Sequence, residues 1–86
     1  MKFQGAVIKE QGQTFAIVVV KPQILQSTIE ANRTRGSFTS IFPGVPIVLM
    51  AQNGRGVPTY NGRQDIVNFL ARIAISRIPW KEYTYN

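Results

Sequence analysis

Two stretches of the chain are apolar without alternation, residues 14–20 (TFAIVVV) and residues 46–52 (PIVLMAQ). A strand wetted on one side alternates, so unbroken runs this short predict strands covered on both faces. Residues 3–10 (FQGAVIKE) are also rich in strand formers. The connection QGQ at 11–13 is short and contains glycine, as a hairpin requires. Between the two apolar strands the pattern becomes helical. Ser27 and Glu30 have the spacing of a capping box, in which hydroxyl and carboxylate each satisfy a free backbone donor. Ala31, Thr34, Phe38, Ile41 and Phe42 then recur on one face. Gly36 costs about 1 kcal/mol against alanine. It predicts a break there, with Ser37 capping a second short piece. Phe42-Pro43-Gly44 is a stop.

Strand, helix, strand is a βαβ unit, so residues 14–20 and 46–52 are expected to run parallel. Asn53-Gly54-Arg55-Gly56 predicts a turn and residues 57–60 (VPTY) an antiparallel return strand. Pro58 cannot donate to a ladder, which places that strand at an edge. Asn61-Gly62 turns the chain into a last helix, with Asn61 and Gln64 at box spacing. Ile66, Val67, Phe69, Leu70, Ile73 and Ala74 form its apolar face, and Arg63, Asn68 and Arg72 point outward. Residues 76–86 (SRIPWKEYTYN) begin at an Ile-Pro break and read as a terminal edge strand or extended flap.

The expected fold is therefore one α/β domain over residues 1–86, ordered β-β-α-β-β-α plus a C-terminal strand or tail. Its mixed four- to five-stranded sheet has the spatial order first hairpin strand, TFAIVVV, PIVLMAQ, VPTY. A ferredoxin-like order would put PIVLMAQ at the edge and the proline-bearing strand inside, against the apolar pattern. The strings VVVKP, FPGVPIVLMAQ, RGVPTYNGRQDIVNFLA and IPWKEYT resemble a small bacterial protein family with no assigned activity. The resemblance covers most of the chain, rests on turn and core residues, and implies no site.

The sequence has neither cysteine nor histidine. That removes thiolate and histidine nucleophile systems and nearly every zinc or iron site, so no metal and no cofactor are expected. The net charge of +6 comes from ten bases against four acids. The excess is a shortage of acids, and the bases are spread singly apart from the loose pair Arg33 and Arg35. Neither apolar run approaches the ~20 residues needed to span a bilayer, and the N-terminal pattern is unlike a signal peptide. A cytoplasmic protein with no membrane association is expected.

Two constellations could bind a ligand. Arg55, Tyr60, Asn61, Gly62 and Arg63 surround the start of the last helix, where free N–H groups and an arginine fork suit an anion. Ordinary capping, with Arg63 solvated or paired with Asp65, accounts for the same residues. The second set is Arg72, Arg77, Trp80, Lys81, Tyr83 and Tyr85, in which aromatics beside bases could stack nucleobases and hold phosphate. Strand alternation, however, places Trp80 on one side and Lys81, Tyr83 and Tyr85 on the other, and aromatics commonly serve packing. No spacing pairs two of the carboxylates for catalysis. The expected function is a small non-catalytic binding or interaction module, self-associating as a homodimer or docking another protein. The alternative is weak binding of nucleic acid or another polyanion. If both helices lay on one sheet face, the other would expose apolar residues, and the homodimer is expected to form through that face or through the tail from Trp80 to Tyr85.

Overall fold

A computed structural model describes residues 2–10 and 12–84. Strand β1 (Lys2–Glu10) turns through Gly12, at φ 77°, into β2 (Gln13–Val19). Helix α1 (Thr28–Ser37) crosses to β3 (Ile47–Gln52), which pairs parallel to β2. A hairpin with Gly56 at φ 78° returns antiparallel as β4 (Pro58–Asn61). Helix α2 (Gln64–Leu70) follows, and β5 (Lys81–Thr84) closes the fold.

The sheet order is β4-β3-β2-β1-β5. The non-alternating strands are the inner ones, with residues 15–18 of β2 and 47–51 of β3 all buried. Pro58 begins the edge strand β4, where its missing N–H breaks no inner ladder. The tail is a strand, pairing antiparallel with β1 from Lys2↔Thr84 to Gly5↔Lys81.

The helices cover both faces. On one side Ala6, Phe15, Ile17, Val48 and Met50 pack with Ile66 and Leu70 of α2 and with Ile78. On the other, Ala16, Val18, Ile47 and Leu49 pack with Ala31 of α1 and with Phe38 and Phe42. Each large side chain buried in these layers contributes roughly 1.5–3 kcal/mol by leaving water. The apolar sheet face on which a dimer interface was expected is therefore inside the domain.

Several local expectations are corrected. Pro22–Gln26 forms a 3-10 turn that the sequence pattern does not announce, with proline at the start, where no N–H is needed. Half of the Ser27 box forms: the hydroxyl accepts from the Glu30 N–H at 3.3 Å, while the Glu30 carboxylate lies 3.7 Å from Arg33. Helix α1 does not break at Gly36. It runs through to Ser37, whose hydroxyl donates to the Thr34 carbonyl at 2.6 Å instead of capping a second piece. Asn61 does not cap α2, because it is held in the β4 ladder opposite Leu49; the helix begins after Arg63, without a side-chain cap. α2 is also shorter than its apolar pattern, leaving Ile73 half-buried and Ala74 exposed beyond its end.

Candidate anion-binding face

Strand alternation sorts the charges onto the two faces of the sheet. In β1, Phe3 faces α1 and Ala6 faces α2, so Lys9 lies on the α1 side and Lys2 and Glu10 on the α2 side. In β5, Tyr83 joins the α1-side cluster, so Lys81 shares that side, its Nζ 5.5 Å from the Tyr83 ring centroid. Glu82 points the other way, 3.8 Å from Lys2.

Lys21 borders a groove beside Ile24, Thr34 and Phe38 that Lys2, at the end of β1, also lines, and Arg33 and Arg35 stand on α1. The α1 face thus carries five bases against one acid, Glu30. The α2 face balances Lys2, Arg72 and Arg77 against Glu10, Asp65 and Glu82, with Glu10 and Asp65 lining one depression. Arg55 and Arg63 sit at the two ends of β4. Of the net +6, +4 therefore lies on the α1 face and none on the α2 face.

Within the basic face lies a cleft of about 410 Å³ lined by Asn32, Arg35, Pro46, Ile47, Asn61, Gly62 and Arg63. It gathers two guanidinium groups and two carboxamides, and no carboxylate lines it. Arg35 Nη1 donates to Asn32 Oδ1 at 2.8 Å, but Arg35 Nε is buried and has no partner among the described residues. An unmet buried donor costs roughly 1–3 kcal/mol, and such groups are usually met by water or an ion. Arg63 Nε and Nη2 donate to the two Asp65 oxygens, each at 2.8 Å. The Arg63 fork, with a smaller contribution from the Ile66 N–H, holds the Asp65 carboxyl at about 2, below its ordinary 3.8.

Of the residues first singled out at the last helix, Asn61, Gly62 and Arg63 meet in this cleft, and Arg55 and Tyr60 do not. Arg55 is at the β3–β4 turn, where its N–H donates to Asn53 Oδ1 at 2.8 Å. It is separated from Arg63 by the length of β4, roughly 10–13 Å at the strand rise. Tyr60 packs into the α2-side core; its hydroxyl is buried without a partner among the described residues, and burial raises its pKa.

The tail set is divided as well. Trp80 packs on the α2 side and donates from Nε1 to the Ile75 carbonyl at 3.1 Å. Tyr83 stacks on Phe3, with centroids 5.1 Å apart, and meets Phe42 edge-on. Both rings are engaged within the fold, so stacking on a base would compete with these contacts. Arg72 and Arg77 are on the α2 side, away from Lys81. Tyr85 lies outside the described residues.

Sequence reasoning missed Asn32, Lys9, Lys21 and Arg35 as members of one surface. The only signal was the alternation of β1, which is uninformative about Lys81 until β5 is known to pair with it. No family model, curated protein or solved structure matches this chain.

Proposed function

We propose that this chain is a non-catalytic binding module that holds a polyanion, nucleic acid foremost, against its α1 face. The observation that carries the reading is the charge sorting: five bases to one acid on that face, against three to three on the other. A one-sided basic surface attracts phosphates and releases their counterions, giving affinity that falls steeply with salt. The internally stacked aromatics favour backbone contact over base stacking, so double-stranded and single-stranded ligands should bind with similar affinity. A cytoplasmic setting, where nucleic acids are abundant, suits this role.

The test is fluorescence anisotropy of labelled oligonucleotides titrated with the protein at two salt concentrations. The K9E/K81E variant should lose most of the binding, and R72E/R77E on the opposite face should keep most of it. Absence of binding at low salt, or equal losses from the two pairs, would overturn the reading.

A second reading, self-association, is favoured by one feature: the outer edge of β5 ends the sheet, and the backbone groups of a sheet edge are a template for a further strand. Light scattering at high micromolar concentration decides it, because a clean 9.6 kDa particle would exclude a homodimer.

A further inference from the structure

We propose that the Arg35–Arg63 cleft is a discrete site for a single phosphoryl oxyanion. This deepens the polyanion reading and rests on it, the bound group being a backbone phosphate. Two arginines line the cleft, and both guanidinium forks are oriented in advance: Arg35 by Asn32 at 2.8 Å and Arg63 by both oxygens of Asp65. A guanidinium carries five donors. The side-on pair with Asp65 uses two, so Arg63 keeps three for a ligand. Arg35 gives one to Asn32 and holds a buried Nε–H that nothing among the described residues accepts.

Planar forks match phosphate geometry, and donors already held in place lose little freedom on binding. The amide groups of Asn32 and Asn61 add neutral donors between the two charges. Gly62 lines the cleft and is seated directly on Val48 and Ile47, so the backbone between Asn61 and Arg63 is held close against β3.

The probe is inorganic phosphate, titrated at low ionic strength into the isotope-labelled chain and followed by amide and arginine Nε–H resonances. Saturating shifts are expected at Asn32, Arg35, Asn61, Gly62 and Arg63. R63Q should weaken phosphate at least tenfold, and K9Q, on the same face outside the cleft, should leave it within twofold. Arg35 is partly buried and R35Q could unfold the chain. N61D therefore serves as the second variant: it adds a carboxylate to the cleft and should abolish phosphate binding while the spectrum stays folded.

Shifts scattered over all the bases without saturation, or equal losses in K9Q and R63Q, would overturn the site. A parallel oligonucleotide titration separates the two ideas. Salt-steep oligonucleotide binding that R63Q leaves intact sinks the site and spares the polyanion reading. Saturable phosphate binding without oligonucleotide binding sustains the site and sinks that reading.

Discussion

Gly62 rests on Val48: a Cβ added to Gly62 would stand 2.9 Å from Val48 Cγ2 and 3.2 Å from Val48 Cα. Val48 is fully buried in β3 and cannot retreat. The contact fixes how the chain leaves β4 for α2, and with it where Arg63 stands. Gly62→Ala should therefore destabilise the fold by about 1–3 kcal/mol through overpacking, read as a lowered urea midpoint, and should also weaken phosphate binding. An unchanged midpoint would mean that the junction relaxes freely.

Gly36 is the opposite case. It lies inside α1, and a Cβ there would meet nothing within 4 Å. Gly36→Ala should stabilise the protein by roughly 0.5–1 kcal/mol, because alanine restricts the unfolded chain and suits the helix better. α1 buries only Ala31 of its own residues, so this gain should be visible as slower amide exchange across the helix.

Removing a group should also help at Tyr60. Its hydroxyl is buried with no hydrogen-bond partner among the described residues, and deleting an unsatisfied polar atom removes a desolvation cost. Tyr60→Phe is expected to raise the urea midpoint by an amount corresponding to roughly 1 kcal/mol. A loss of that size would show that the hydroxyl has a partner in solution.

Acid should loosen the Arg63–Asp65 pair. The Asp65 pKa is depressed in the folded state, from 3.8 to about 2. Its contribution is thus present above pH 4 and lost as pH falls from about 4 to about 2. Both side chains are exposed, which keeps the stability effect small. The sharper readout is the Arg63 Nε–H resonance, which should move through that window in the natural chain and stay flat in Asp65→Asn.

Trp80 donates to the Ile75 carbonyl across a 3-10 turn that α2 leaves behind. Trp80→Phe keeps most of the apolar contact and deletes the donor. It should cost about 1 kcal/mol in thermal unfolding and loosen residues 75–81, where exchange protection should fall first.

The sheet was legible because burial on both faces is written directly into residues 14–20 and 46–52, and Pro58 marks an edge by chemistry alone. The ends of the helices were less legible. Asn61 has the spacing of a cap, yet its ladder pairing with Leu49 claims it for β4; a long-range strand pairing outweighed a local preference. Gly36 was expected to break α1, but about 1 kcal/mol of propensity is small beside the packing of Phe38 and Phe42 on the sheet.

The order of the first four strands, the mixed α/β class, the edge position of β4 and the exclusion of thiol and histidine chemistry could be read from the sequence alone. Each follows from residue type and periodicity, which act locally. The tertiary fold alone sets the helices on opposite faces, Lys9 and Lys81 on one side, and Arg35 and Arg63 around one cleft. Those relations join residues far apart in the chain, and their physical origin is the pairing of β5 with β1 and the path of α1 across the sheet.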